Sequence, residues 1–238
     1  LSEGATIAFN GCTVDIPDAK GLGLIGSEGK GKGSYTCYTR AEDEKKQNDN
    51  DRFDSYNGTQ DRTATGYYTL KNYNADMVDS KGNTYKSLME IRYADVLLMY
   101  AESKIELNQI DASVYEALDA IRTRAGMPTV DKAIYNNQSK MRELVRRERR
   151  VELALEGLRW FDICRWKIGE QVMPGQVYGA LLGTVDAETG ALNLTDERIK
   201  VEIRLFDPAK HYLWPIPQSV IDASVANGEP TMVQNPGY

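Results

Sequence analysis

The feature that most constrains the fold is a run of paired charge between Met141 and Trp166. The segment MRELVRRERRVELALEGLRWFDICRW places ten arginine or glutamate residues before Trp160. A helix over this segment carries two columns of like charge at i, i+4 spacing: Glu148, Glu152 and Glu156 in one, and Arg142, Arg146 and Arg150 in the other. Like charges at this spacing destabilise an isolated helix by roughly 0.2–0.5 kcal/mol per pair. The segment therefore requires partners on neighbouring elements.

Arginines elsewhere in the chain are the predicted partners of the glutamate column. They are Arg92, Arg122, Arg124, Arg159 and Arg165. Bidentate bonds from arginine to carboxylate would lock neighbouring helices in register. We therefore predict a structural charge network whose members are Arg92, Arg122, Arg146, Glu148, Arg150, Glu152 and Glu156.

Other roles fit this charged helix less well. A di-metal carboxylate centre in a helical bundle uses Glu-x-x-His pairs, and the single histidine, His211, is far from any such spacing. A helix that grips nucleic acid needs an uncancelled basic face, whereas glutamates alternate with the arginines here. A glycoside hydrolase needs only two carboxylates at a set separation, which a sequence does not measure, so this alternative stays open.

Three helices are predicted from Leu88 onward, where apolar residues recur at spacings of three and four. The first, in LMEIRYADVLLMYAESKIELNQ, is expected to bury Ile91, Ala94, Leu98, Ala101 and Ile105. The second, in ASVYEALDAIRTRAG, is expected to bury Val114, Leu118, Ile121 and Ala125. The charged helix is the third, with Leu144, Val151, Leu155 and Leu158 on its buried side.

Local signals place the ends of these helices. Asp111 or Ser113 caps the start of the second helix, and Gly126 with Pro128 closes it. Gly157 marks the end of the third helix or a bend in it. Because only a few residues join the first two helices, they are expected to pack as an antiparallel hairpin.

The first 85 residues have a different character. KGLGLIGSEGKGKGSYTCYTR is rich in glycine, AEDEKKQNDNDRFDSYNGTQDR is polar, and neither keeps an apolar period. A short strand is predicted near Tyr67, with a turn at SKGN, and the acid-rich stretch is predicted to be a solvated loop because it lacks the calcium-loop pattern.

The predicted fold class is mainly α, with a helical hairpin scaffold, a large irregular portion and short strands. The predicted domains are 1–85, loop-rich, and 86–238, one compact helical unit with an irregular tail.

Composition argues against several classes of function. The chain has 29 Lys and Arg against 35 Asp and Glu, and the net charge of -6 disfavours a nucleic-acid partner. No apolar run is long enough to span a membrane, and LSEGATIAFNGC lacks the features of a signal peptide.

A single histidine excludes an HExxH zinc site, and GxSxG and Walker motifs are absent, so no catalytic residue, cofactor or metal is predicted. GKGKG is interpreted as a flexible loop. The odd count of three cysteines leaves a Cys12–Cys37 bridge open.

Five motifs in the second part of the chain together resemble a known family. They are IRYADVLLMYAESKIELN, ALDAIRTRAGMP, RELVRRERRVELALEGLRWFDICRW, YLWPIPQSVID and QNPGY. In order and spacing, the segment from Gly66 to Tyr238 is similar to the C-terminal half of SusD/RagB-type proteins. The chain begins without the signal peptide, lipidated cysteine and early helices of full members, so it resembles a C-terminal portion of such a protein.

The resemblance implies a fold and a function. The fold is a scaffold of tetratricopeptide-like hairpins that carries an irregular ligand-binding portion, although the hairpin here does not spell the tetratricopeptide consensus. Proteins of this family are non-catalytic outer-membrane lipoproteins of Bacteroidetes that capture glycans, or in some cases peptides, as lids on SusC-type TonB-dependent transporters. The implied partners are a glycan, such a transporter and the missing N-terminal half. The implied location is the cell surface, through a lipid anchor on that half.

Ligand-binding residues are then expected in the irregular first portion. A pyranose ring stacks its C–H face on an aromatic ring while its hydroxyls take fixed hydrogen bonds. The candidate glycan-binding residues are Tyr35, Tyr38, Arg52, Asp54, Tyr56 and Asn57. That the loop tyrosines are merely packed is the alternative interpretation. Trp160, Trp166 and Trp214 are expected in the core, and a helical scaffold whose grooves hold an extended peptide is the alternative function.

Overall fold

The computed structural model describes residues 65, 67–69, 71, 89–185, 192–228 and 232–238, and the backbone of four short strands nearer the N-terminus. Within this part of the chain the strands are β1 (Ile7–Ala8), β2 (Thr13–Ile16), β3 (Gly33–Thr36), β4 (Ala41–Glu42), β5 (Tyr68–Thr69), β6 (Gly175–Val185) and β7 (Leu192–Arg204). The helices of the described residues are α1 (Tyr93–Glu106), α2 (Ala112–Arg124), α3 (Gln138–Glu152), α4 (Arg159–Trp166), α5 (Gly169–Val172) and α6 (Gln218–Ala226).

The chain divides into two compact units. One unit is Tyr85–Trp160, and the other combines Leu1–Thr84 with Phe161–Tyr238. The predicted division into 1–85 and 86–238 stays a prediction. We call Tyr85–Trp160 the three-helix unit, since it contains α1, α2 and α3.

The core of the three-helix unit lies where α1 packs against both α2 and α3, which touch each other much less. Its largest fully buried side chains are Leu98, Ile105, Leu118, Met141, Leu144, Val114 and Val145. Burying one such side chain fully stabilises the fold by about 1.5–3 kcal/mol. Two packing partners make α1 the central helix of this unit.

The second helix follows its prediction closely. The Asp111 side chain accepts a hydrogen bond from the Ser113 backbone N–H at 3.0 Å, which satisfies one of the free donors at the start of α2. Gly126 follows the helix with φ of 71°, a left-handed conformation that favours glycine. The predicted buried residues of this helix are buried, except that Ala125 is its exposed C-cap.

The ends of the first and third helices differ from the prediction. Ile91 is exposed because α1 begins only at Tyr93. The third helix ends at Glu152, so Leu155 falls in the following turn with φ of 65° and is exposed. Val151 lies at the edge of the buried arc in the last turn of α3 and is exposed too. Met141 and Val145, which were not predicted to be buried, are buried instead of Val151 and Leu155.

The second unit contains a long hairpin that the prediction of short strands and an irregular tail missed. The 11-residue β6 pairs antiparallel with the 13-residue β7, from Gly175 opposite Arg204 to Val185 opposite Leu192. β4 pairs in parallel with β6, and this completes a three-stranded sheet. β1 pairs with β5 and β2 with β3 in two small antiparallel sheets. The predicted short strand near Tyr67 is β5.

A close backbone approach fixes the middle of β6. The Ala180 N–H donates to the carbonyl oxygen of Thr65 at 2.7 Å. A Cβ on Gly179 would lie 2.6 Å from the same oxygen, so only glycine permits this approach.

The fold is therefore mainly helical with a small sheet, and its tetratricopeptide-like character stays a prediction. The predicted turn at SKGN, the GKGKG loop and the Cys12–Cys37 bridge lie outside the described residues. Cys164 is a free, half-buried thiol whose pKa is raised by burial.

Candidate functional site

The structure does not describe the side chains of the six predicted glycan-binding residues. Tyr35 lies in β3, where its backbone is opposite Val14 of β2. Tyr38, Arg52, Asp54, Tyr56 and Asn57 lie outside the described residues. Whether these six side chains meet in one site stays a prediction.

Arg92 is the main ion-pairing residue of the three-helix unit. It precedes α1, and its Nε donates to both carboxylate oxygens of Glu156 at 3.0 and 2.9 Å. Its Nη1 donates to Glu152 Oε1 at 2.6 Å, and its Nη2 donates to the Glu152 carbonyl oxygen at 2.5 Å. Burial lowers the pKa of Arg92, but the hydrogen bonds to Glu156 and Glu152 outweigh burial and raise it. The start of α1 is thereby fixed to the end of α3.

The same glutamate column also contacts α2. Arg124, at the end of α2, donates from Nη2 to both carboxylate oxygens of Glu152 at 2.7 and 2.6 Å. Arg122 donates to Glu148 Oε1 at 2.5 Å and to the Pro128 carbonyl oxygen at 2.7 Å. Glu152 thus joins the ends of all three helices.

The arginine column has a different set of partners. Arg142 donates to both carboxylate oxygens of Glu106 at 2.7 and 2.6 Å, and Arg146 approaches Glu106 at 3.8 Å. Arg150 is exposed, and within the described ranges no ion pair of this residue is formed. Its membership of the predicted charge network stays a prediction.

A buried ion pair was not predicted. Arg149 Nη1 donates to Asp95 Oδ1 at 2.6 Å, and both side chains are buried. The sequence signal was Asp95 itself, an acid beside the apolar stripe of α1. Arg149 was hidden among five arginines of the charged helix, because periodicity does not tell a buried cation from an exposed one.

Each of these ion pairs joins different helices and is satisfied within the protein. No group of three or more His, Cys, Asp or Glu side chains able to hold a metal ion occurs among the described residues.

Trp214 is the described aromatic residue best placed for a ligand. The prediction that it lies in the core is wrong, because 71% of the residue is exposed. Trp160 and Trp166 are half-buried, and the Arg165 guanidinium lies over the Trp166 ring at 4.6 Å. Trp214 therefore offers a free indole face.

The backbone on both sides of Trp214 is held by the C-terminal residues. The Asn235 side chain donates to the Trp214 carbonyl oxygen at 2.6 Å, and the Tyr238 hydroxyl donates to that of Leu213 at 3.2 Å. The Gln234 side chain makes a two-point contact with the backbone of Ile216, accepting from its N–H and donating to its carbonyl oxygen, both at 2.8 Å. We call Leu213–Ile216 with Gln234, Asn235 and Tyr238 the C-terminal clasp.

A cluster around Tyr212 anchors the chain that enters the clasp. The Tyr212 hydroxyl donates to the Glu170 carboxylate and accepts from the Gly169 N–H at 2.8 Å. The hydrogen bond from Tyr212 lowers the pKa of Glu170, and burial raises the pKa of Tyr212. The Phe206 ring meets the Tyr212 ring edge to face at 5.0 Å. The Lys167 ammonium group lies over the Tyr212 ring, 4.3 Å from its centroid. These contacts together fix the Tyr212 side chain.

The clasp can therefore bind a flat apolar surface without reorganising its backbone. Because the main chain on both sides of Trp214 is held, a ligand that stacks on its indole loses little affinity to ordering of the backbone. The sequence carried a signal for this arrangement that was not used: Trp214 stands between Leu213 and Pro215 in LWPIP, and proline limits the conformations of such a segment.

Comparisons with known proteins identify the family. The SusD family profile matches residues 4–238. SusD-like protein P2 of Formosa agariphila is 37% identical over 90 residues, which are 34% of this chain and 17% of that protein. SusD-like protein P38 of the same organism is 32% identical over 93 residues, which are 37% of this chain and 18% of that protein. The chain belongs to the SusD family.

Solved structures agree with this assignment at the level of the fold. A SusD-like protein from Bacteroides fragilis matches 98% of this chain with a TM-score of 0.60 and 24% identity, over 38% of its own length. A second solved chain, BT4246, matches 98% with a TM-score of 0.62 and 25% identity, over 35% of its length. This chain thus spans little more than a third of the solved relatives that it matches. In the described part of the chain, every helix is too short or too polar to cross a membrane.

Proposed function

We propose that the protein is a non-catalytic glycan-binding protein of the bacterial cell surface that delivers oligo- or polysaccharides to a SusC-type TonB-dependent transporter. Membership of the SusD family is the observation that carries this proposal, because the family implies glycan binding in nutrient uptake. The transporter, a lipid anchor on an N-terminal part and an outer-membrane location belong to the proposal as well.

The proposed mechanism is capture by stacking and hydrogen bonding. An aromatic face covers the C–H side of a pyranose ring, and polar side chains orient its hydroxyl groups. Tyr35, Tyr38 and Tyr56 are the proposed stacking residues of the first portion, with Arg52, Asp54 and Asn57 as hydrogen-bonding partners. Trp214 joins them as a stacking residue, supported by its exposed indole and its fixed backbone.

The charge network supports a binding role over a catalytic one. Glu148, Glu152 and Glu156 are all engaged by arginines of neighbouring helices. These residues hold the scaffold, and ligand contacts are left to other parts of the chain.

Affinity electrophoresis through gels that contain plant, host and microbial polysaccharides tests this proposal. We expect at least one glycan to retard the protein without releasing reducing sugar. Tyr38→Ala and Tyr56→Ala should each weaken the retardation, and Trp214→Ala should weaken it further. Phe161→Ala is the matched control, since Phe161 is also an exposed aromatic residue and lies outside the clasp. No retardation by any glycan, with salt-sensitive binding of peptides instead, would favour the alternative of a peptide-binding scaffold.

The variants separate the family-level proposal from the assignment of residues. Retardation that survives Trp214→Ala would remove Trp214 from the site while glycan capture stands. Reducing-sugar release that a single Asp or Glu substitution abolishes would contradict the non-catalytic function itself.

A further inference from the structure

The loop that the C-terminal clasp closes contains an asparagine followed by glycine. Gln234 contacts Ile216 across eighteen residues of chain, and α6 with Asn227 lies between these two contact points. Asn10 and Asn57 are also followed by glycine, but among the asparagines that the structure describes this is true of Asn227 alone. Such an asparagine is prone to lose its side-chain amide, because no Cβ on the next residue obstructs attack by the main-chain nitrogen.

The chemistry of this loss needs only the chain and water. The Gly228 main-chain nitrogen, which gives its proton to solvent base, attacks Cγ of Asn227 and forms a five-membered imide ring. The bond from Cγ to Nδ2 breaks, and ammonia leaves with a proton taken from solvent. Water then adds to one ring carbonyl carbon, the bond from that carbon to the Gly228 nitrogen breaks, and the nitrogen regains its proton. The product is aspartate or isoaspartate, and in isoaspartate the main chain runs through Cβ.

The folded turn holds Asn227 away from the reactive geometry. Asn227 is the C-cap of α6 with ψ of 0°, so the Gly228 nitrogen lies on the side of the Asn227 main-chain nitrogen and not towards its side chain. The Gly228 N–H also donates to the Val225 carbonyl oxygen at 3.2 Å. Attack on Cγ therefore requires the last turn of α6 to open.

Little burial holds that turn closed. Within the described part of the chain none of the nine residues of α6 is buried, although Ile221 and Ser224 are half-buried. A helix of this length is marginal by itself, and segments with few buried contacts open most readily. Gly228 has φ of 69° and nothing within 4 Å of the place where a Cβ would lie, so no neighbouring side chain covers the reacting nitrogen from that side.

We propose that Asn227 is a site of spontaneous conversion to aspartate and isoaspartate, gated by opening of the last turn of α6. A carboxylate at the C-terminal end of a helix is unfavourable against the helix dipole, so the product weakens α6. The longer main chain of isoaspartate also changes the path towards Gln234 and Asn235, which hold Ile216 and Trp214. Conversion is therefore expected to loosen the C-terminal clasp. The inference is independent of the glycan-binding function.

Peptide mapping of the protein as its gene encodes it tests the site. The protein is incubated in mildly alkaline buffer, and mass spectrometry follows the amide and acid forms of each asparagine peptide over time. Asn193, which is exposed in β7 and followed by Leu194, is the internal control. We expect Asn227 to convert about tenfold faster or more, because Leu194 carries the Cβ that Gly228 lacks. Conversion of Asn227 no faster than that of Asn193 would overturn the proposal.

A helix variant tests the gating. Ala223 is exposed in α6, and glycine in place of alanine in a helix interior raises the population of the open helix about fivefold. The conversion rate of Asn227 should therefore rise about fivefold in Ala223→Gly, while that of Asn193 stays unchanged and shows that the rest of the fold is intact. An unchanged Asn227 rate would contradict gating by α6.

Hydrogen exchange measures the effect on the clasp. The Ile216 N–H, which the Gln234 side chain accepts, should exchange faster in aged protein than in fresh protein. Asn227→Gln is the matched variant, since glutamine keeps the amide but closes the larger ring far more slowly. Aged Asn227→Gln should exchange like fresh wild type, and faster exchange in it would contradict the assignment to Asn227. Equal exchange in fresh and fully converted wild type would contradict the effect on the clasp.

Discussion

Replacing Arg92 should lower the free energy of unfolding of the three-helix unit more than replacing an exposed arginine does. Arg92→Met removes the donors to Glu156 and to the Glu152 side chain and carbonyl. The Arg92 side chain is 22% exposed, and those of Glu152 and Glu156 are 11% and 15% exposed. A net hydrogen bond to a charged group is worth about 1.5–3 kcal/mol, and removing one partner of a fully buried pair costs about 3–5 kcal/mol. Partial exposure and the remaining Arg124–Glu152 pair reduce this loss, so we expect about 2–3 kcal/mol.

The assay is urea unfolding followed by the helical circular dichroism signal. Arg92→Lys keeps the charge but loses the planar fork, so it should cost about 1–2 kcal/mol. Arg150→Met, which removes an exposed arginine from the same charged segment, should stay within about 0.5 kcal/mol of the wild type. A double-mutant cycle with Glu156→Gln should show a coupling of about 1–2 kcal/mol. If Arg92→Met costs no more than Arg150→Met, the reasoning about this ion pair is refuted.

Three further variants test local features of the two units. The hydrogen bond with Lys104 lowers the pKa of Asp111 from 3.8 to about 2. Because this pKa is lower in the folded protein than in the unfolded chain, the pair stabilises the fold at pH values above 3.8, and its contribution is lost as the pH falls towards 2. The difference in melting temperature between the wild type and Asp111→Asn should therefore narrow on acidification. Gly169→Ala would place a Cβ 2.2 Å from the Phe206 ring and should cost about 1–3 kcal/mol in urea unfolding. Leu155→Gly should stabilise by about 0.5 kcal/mol because the left-handed φ strains the exposed leucine, and a loss above about 1 kcal/mol would contradict this account.

The sequence predicted α2 well because several independent signals agree there. A capping acid, a helical stripe and a closing glycine all mark the same segment. The charged helix was predicted too long, since an apolar stripe runs past Glu152 although the backbone turns at Leu155. Periodicity alone does not show where tertiary contacts stop a helix.

The sheet and the clasp were missed for different reasons. Alternation at Ile199, Val201 and Ile203 is a strand signal that the prediction of an irregular tail overlooked. Trp214 was assigned to the core because large aromatic residues are mostly buried. The main chain around it is held by hydrogen bonds from Asn235 and Tyr238, some twenty residues away along the chain, which no local pattern reveals.

The buried pair of Asp95 and Arg149 shows what the charges contribute to this scaffold. Breaking it with Arg149→Met leaves a buried carboxylate without its cation and should cost about 3–5 kcal/mol. Removing both charges, with Asp95→Leu added, should return the free energy of unfolding to within about 1 kcal/mol of the wild type, because the pair's attraction roughly repays its desolvation. Urea unfolding of the two single variants and the double variant measures this. A double variant as unstable as Arg149→Met would show that the pair adds stability and does not merely fix the register of α1 on α3.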